Sequence, residues 1–464
     1  MNGLNQKWNN SNKGTNMEGI KESLVRLYEE NEPLINTNVG SALKQAREKA
    51  LADFDRLGIP TRKNEAYKYT NIEPVLEVEH SAEFTADAFK IKLEEVFKCE
   101  VPELDTHVVL VLNGFYYHDN KLSGLPQGVI VTSLAQASVI YPEIFNRHYG
   151  KYANTSEDSL AALNTFFAQD GVFIYVPKNV KIDRPIQIIN LCYTFKNLRI
   201  TRRNLVIAED GSDLQVIVCD HTLCNKSYLT NSLIEMYAGE NAKIDFTRLQ
   251  NENNLSSQIT NSFIQQETNS RVKSTILSLH GGFIRNNVYV NLNGEGADNN
   301  TLGLFIGDSK QHTSNFTLIN HLKPHCTSNQ LYKGILNDEA TGAFNGKIYV
   351  GNDAQKTMAY QKNNNILLSS TAKMNSKPQL EIYADDVKCS HGATVGQLDN
   401  DALFYLRSRG IPEKEARHLL MYAFANEVIS QLDSQHLKER IIALLDKRLR
   451  GELAKCEGCE ISCG

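Results

Sequence analysis

GSDLQV (211–216), NAKIDF (241–246), SRVKSTI (270–276) and GADNNTL (296–302) share one design, a polar turn running into an apolar strand. Within them Asp213, Ala242, Arg271 and Ala297 stand 29, 29 and 26 residues apart. A period of 20–50 residues built from short strands and turns is the signature of a solenoid. Each coil has an apolar inner face that it cannot bury alone, and stacking completes the core. The spacing fades after residue 310, and a β-sandwich is the competing reading of the same strands. Working outward, VFIYV, IQIINL, NLVIA, KIDFTRL, NVYVNL, FTLIN, KIYV and QLEIYA follow one another from Gly171 to Val387, separated by Gly, Asn, Asp and Ser. No amphipathic helix interrupts this run, which excludes a doubly wound α/β fold.

Helical periodicity flanks the strands. Ile20, Leu24, Val25 and Leu27, then Leu43, Ala46, Ala50, Leu51 and Phe54, recur at spacings of three and four until Gly58-Ile59-Pro60 ends the pattern. A helix is expected over 86–98 and another near 157–168, with a tight turn at Asn113-Gly114. After Gly396, Asp399 or Asn400 caps a helix that Gly410 closes. Pro412 opens a second, with Ala416, Leu419, Leu420, Ala423, Phe424 and Val428 on one face, and a third runs from Ser434 to Arg450. The expected organisation is an Asn-rich disordered segment 1–18, a helical domain 19–105, a β-helix core 106–395, a helical domain 396–452 and a Cys-rich tail 453–464. Translation starts at Met1 or Met17.

Composition narrows the function. Lys and Arg number 49 against 54 Asp and Glu, a net charge of −5, so there is no basic footprint for nucleic acid. No apolar run reaches membrane-spanning length, and the N-terminus lacks a secretory h-region, so a cytoplasmic protein with no membrane partner is expected. The nine cysteines are odd in number and mostly scattered, unlike a secreted disulfide framework; Cys99, Cys192, Cys219 and Cys224 read as small buried apolar residues. No G-x-x-x-x-G-K-S/T loop and no G-x-S-x-G elbow occurs, so nucleotide hydrolysis must come from a partner and the chain is not expected to be an enzyme.

The run ADDVKCSHGAT (384–394), followed by the helical tail to residue 430, closely resembles the SufD family of the SufB–SufC–SufD iron–sulfur cluster assembly machinery. PTRKNEAYKYT (60–70), HLKPHCTSNQLYKGIL (321–336) and AQKTMAYQKNNN (354–365) resemble other blocks of that family, with Tyr67 where the family often has Trp. The resemblance covers residues 19–451. It implies a right-handed parallel β-helix flanked by helical domains. It also implies a heterodimer with a SufB-like paralogue, a SufC-like ATPase docked on each C-terminal helical domain, and a nascent cluster or iron held at the shared interface. Reduced flavin is the further cofactor it allows.

Cys389 and His391 are the leading candidates. A thiolate and an imidazole suit iron, and residues two apart in a strand share a face. By resemblance they match positions linked to cluster assembly, His391 more strongly; the plain alternative is a core cysteine and a histidine capping a turn at Gly392. Two ligands are too few for a cluster, so the partner must supply others. Asp385-Asp386 read as a solvated turn, as do His321, His325 and Cys326 around Pro324. Cys456, Cys459 and Cys463 have the spacing to wrap a metal but stop one ligand short of a tetrahedral site. Leu403, Phe404, Tyr405 and Leu406 put apolar groups all around one short helix, which suits docking of the ATPase as well as packing on the β-helix. Two other functions compete with the scaffold: a carbohydrate-active β-helix enzyme, and an independent iron or sulfur carrier using the 456–463 tail.

Overall fold

The computed structural model describes residues 15–85, 105–117, 122–223 and 226–452. The helix expected over 86–98, Cys99, Cys224 and the Cys456, Cys459, Cys463 tail lie outside the described residues. Among the described residues, sixteen of the twenty strands wind into eight coils. They are β1 (Val172–Val176), β2 (Ile186–Cys192), β3 (Leu198–Ala208), β4 (Asp213–Thr222), β5 (Tyr228–Ala238), β6 (Lys243–Asn251), β7 (Ser256–Gln266) and β8 (Arg271–His280), followed by β9 (Phe283–Leu292), β10 (Asp298–Gly307), β11 (His312–His321), β12 (Thr327–Leu336), β13 (Thr341–Val350), β14 (Met358–Leu367), β15 (Lys373–Ile382) and β16 (Lys388–Gly396). Odd strands stack into one parallel sheet and even strands into another, each strand beside the one two places on. The chain is a parallel β-solenoid, not a sandwich.

The register corrects the repeat in two places. Asp213, Lys243, Arg271 and Asp298 are the true equivalents. Ala242 and Ala297 stand one residue earlier, in a row of small buried residues with Ser212, Ser270 and Cys326 that tucks each turn against the next. The residue before that row is left-handed in the turns leading into β4, β6, β8, β10, β12 and β14: Gly211, Asn241, Asn269, Gly296, His325 and Lys356 all have positive φ. Gly and Asn tolerate that conformation best, which is why the turn signal is legible at 211–296 and fades where His and Lys take the position. The coils continue past residue 310, with Thr327, Met358 and Lys388 next in register.

The interior changes along the axis. Val216, Val218, Ile244, Phe246, Val272, Ile276, Val288 and Val290 form an apolar core in the early coils. Farther on, the inward positions of the even sheet become Asn299, Thr301, Gln330, Gln361, Asn363 and Asn365, all buried. Loss of apolar alternation there is what hid the later coils from the sequence pattern.

Helices cover both outer faces. α1 (Thr15–Ile35), α2 (Ser41–Leu57) and α3 (Ser159–Phe167) bury Leu24, Tyr28, Phe54 and Phe166 against Leu229 and Ile259 of the odd sheet. Asp158 caps α3 by accepting from the N–H groups of Leu160 and Ala161. α4 (Asn400–Ser408), α5 (Glu413–Ile429) and α6 (Gln435–Leu449) follow the solenoid, and Met421, Ala425, Val428, Ile441 and Leu445 pack on Leu249, Leu277, Leu304 and Leu331 of the even sheet. Each such side chain removed from water contributes about 1.5–3 kcal/mol. Asp399 caps α4, Gly410 has positive φ after it, and Pro412 occupies the cap of α5 rather than its first turn.

Candidate functional site

The last coil is where the solenoid stays open. β15 pairs only with β13 and β16 only with β14, so each ends its sheet with one edge free among the described residues. In β14 the inward residues Ala359, Gln361, Asn363 and Asn365 are buried. Their register partners in β16 are Cys389, His391, Ala393 and Val395. Parallel neighbours share a face, so these four continue the inward rows of the lumen. Among the described residues no further coil covers them: Cys389 is half-buried, and His391, Ala393 and Val395 are exposed. Gly392 lies within β16, so the alternative of a turn capped by His391 does not hold.

His391 is therefore the last rung of an interior column that runs Val216, Phe246, Ser274, Thr301, Gln330, Gln361, His391. The column turns from apolar to hydroxyl to amide to imidazole. Ser274 Oγ, Gln330 Nε2 and both polar atoms of the Gln361 side chain are buried without hydrogen-bond partners among the described residues. The amide directly beneath His391 thus has its full capacity for a ligand or water. Cys389 packs beside Ala359, Val350 and Ala384. Burial pushes its thiol above the ordinary value, with the Ala359 backbone pulling weakly the other way, so it is a thiol rather than a thiolate at neutral pH. Exposed Tyr360 of β14, Ile382 at the end of β15 and Tyr383 just after it add apolar surface near the open end.

The remaining candidates fall elsewhere. Asp385 and Asp386 are in the turn before β16, and Asp386 pairs with Lys356. His321 faces the lumen and contacts Ser328 at 2.8 Å, His325 is the left-handed turn residue of its coil, and Cys326 is fully buried with its thiol on the Gly294 carbonyl. They are parts of the coil rather than a metal site, and no three His, Cys, Asp or Glu side chains gather to hold a metal among the described residues. In α4, Leu403 is buried and Leu406 half-buried, while Phe404 is 74% and Tyr405 57% exposed. The apolar girdle expected there reduces to an outward pair; Leu419 of α5 is also exposed. Gln330 and Gln361 escaped the sequence reading, since an amide in a strand normally points to water; their alternation with exposed Tyr360 and Lys362 was the available signal.

The class that fold and site define is a helically clad parallel β-solenoid whose last described coil presents a thiol, an imidazole and free strand edges. Comparison with known proteins identifies the family. Residues 193–424 match the family described as SUF system FeS cluster assembly, SufBD core domain, and residues 18–188 match the SufBD protein N-terminal region. The chain is 30% identical over 400 residues to the iron–sulfur cluster assembly protein SufD of Escherichia coli, covering 85% of this chain and 90% of that one. It is 28% identical over 332 residues to SufD of Bacillus subtilis (70% and 75%), and 28% over 451 residues to a SufBD family protein of Synechocystis (94% and 96%). The chain belongs to the SufB/SufD family, as a SufD member. No helix among the described residues is long and apolar enough to cross a membrane.

Proposed function

We propose that this chain is a scaffold subunit of iron–sulfur cluster assembly. It pairs with a SufB-like paralogue through its open end, docks a SufC-like ATPase on its C-terminal helices, and catalyses nothing alone. The observation that supports this reading best is the position of His391: inward by register, yet exposed, on the last strand of a solenoid whose edge is free. Unpaired strand edges invite another chain's backbone, and a partner seated there would bury His391 and Cys389 at a shared seam. In that seam the imidazole is a ready iron ligand, and the Cys389 thiol becomes one on losing its proton. The cluster is cargo, held transiently, and the partner would provide the main thiolates. Electrons would come from a reduced flavin in the assembly, and the setting would be the cytoplasm. Phe404, Tyr405 and Leu419 are the exposed apolar side chains offered to the ATPase.

Co-expression with SufB-like and SufC-like chains tests this. A stable ternary complex is expected, and His391→Ala should preserve it while lowering cluster yield. A chain that stays alone with both partners present, or full cluster yield in the variant, contradicts the proposal.

A further inference from the structure

We infer that the solenoid holds an internal site for one small monovalent anion, of halide class, between Arg248 and Arg202. Both belong to inward rows. Arg202 shares its row in β3 with Val206 and Ala208, Asp220 its row in β4 with Val216 and Val218, and Arg248 its row in β6 with Ile244 and Phe246, all apolar members of the core. The side chains of Arg202, Asp220 and Arg248 are 8%, 3% and 3% exposed.

The donors outnumber what the carboxylate can accept. Asp220 Oδ1 accepts from Arg202 Nη1 and from Asn190 Nδ2, each at 2.9 Å. Arg248 reaches the other oxygen only at 4.0 Å, too long for a hydrogen bond. Its Nε and Nη1, together with Arg202 Nε, are buried without partners among the described residues. Its strand neighbours in register are Val218 and Ile276, which offer none. Ser232, beside Arg202 in register and also inward, has an unpartnered hydroxyl.

Two guanidiniums and one carboxylate leave a single positive charge in an apolar interior. Burial alone would raise the Asp220 carboxyl, yet Arg202 and Arg248 hold it below its ordinary value, so it stays charged and cannot be the missing neutraliser twice over. Water would supply acceptors but no charge. A buried unpaired guanidinium costs several kcal/mol, which a compact anion accepting from Arg248, Arg202 and Ser232 relieves. The unpartnered groups, Arg248 Nε and Nη1, Arg202 Nε and the Ser232 hydroxyl, can all donate, which favours an anion over a cation.

The test uses crystals of the full chain grown with bromide in place of chloride. One anomalous peak between Arg248 and Arg202 is expected. No peak there, or a peak that persists in Arg248→Met, overturns the inference. Independently, at constant ionic strength the thermal midpoint of the wild-type chain should be higher in chloride than in gluconate. Equal midpoints in the two salts count against the site, whether or not the variant folds.

Discussion

Ala393→Pro isolates the edge of β16 from the rest of the solenoid. In a parallel ladder, alternate residues turn their N–H groups to one neighbour and the rest to the other. Lys388 donates its N–H to Thr357, towards β14. Counting by twos, Ser390, Gly392 and Thr394 also face β14, while Cys389, His391, Ala393 and Val395 present their N–H groups to the free edge. Ala393 is exposed. Proline there removes one outward donor and leaves every bond to β14 in place, the situation in which an edge strand tolerates proline. β15 already carries such a residue: Lys373 donates to Ala340, so by the same count Pro378 faces the free edge of the other sheet. If a partner strand adds to β16, the variant loses one hydrogen bond worth about 1 kcal/mol. The ring also holds off the neighbouring strand, so that one or two further bonds fail. A total of about 2–3 kcal/mol corresponds to a roughly 30- to 150-fold weaker complex. Calorimetric titration against the SufB-like partner reads this directly, with Ser390→Pro as the control that should damage the solenoid itself. A folded Ala393→Pro chain that binds as tightly as wild type would refute edge pairing.

Other outcomes follow from the same contacts. Cys389→Ala should reduce cluster yield less than His391→Ala does, as read by the visible absorbance of the reconstituted complex, since its thiol is held protonated by burial. Arg203→Met should lower stability by about 3–5 kcal/mol in urea unfolding, because it strands Glu235, a fully buried carboxylate that otherwise accepts only the N–H groups of Gly150, Tyr152 and Ala153 at 3.0 Å. Asp245 lies under the C-terminal helices, where burial pushes its carboxyl from 3.8 up to about 6, with Lys273 opposing and Asp433 reinforcing. A raised carboxyl value means the folded state binds the proton more tightly, so wild type should lose stability relative to Asp245→Asn as pH rises from 4 to 6 and no further above it. The loss is at most ~3 kcal/mol, and paired thermal melts across that window would show it; parallel curves would contradict the assignment.

The solenoid was legible where its physics is conventional. Between residues 211 and 302, Gly and Asn mark left-handed turns and Val, Ile and Phe mark the inward rows, so the period could be counted. The count slipped by one at Ala242 and Ala297 because both are buried and small, and look like the strand residues they precede. It failed beyond residue 310 because Gln330, Gln361 and Asn363 face inward where the pattern demands apolar groups. The shared face of Cys389 and His391 followed from their spacing alone. Their exposure did not, since it depends on β16 being the final coil. The charged lumen at Arg202, Asp220 and Arg248 was invisible for the converse reason: a charge in a strand reads as outward, and only the register turns it in.

A structure of the chain bound to its SufB-like partner bears most directly on the account. It should show a partner strand hydrogen-bonded along β16, with the His391 imidazole enclosed at the join and partner thiols within reach of a common metal. A partner bound elsewhere, with residue 391 still open to solvent, would contradict it.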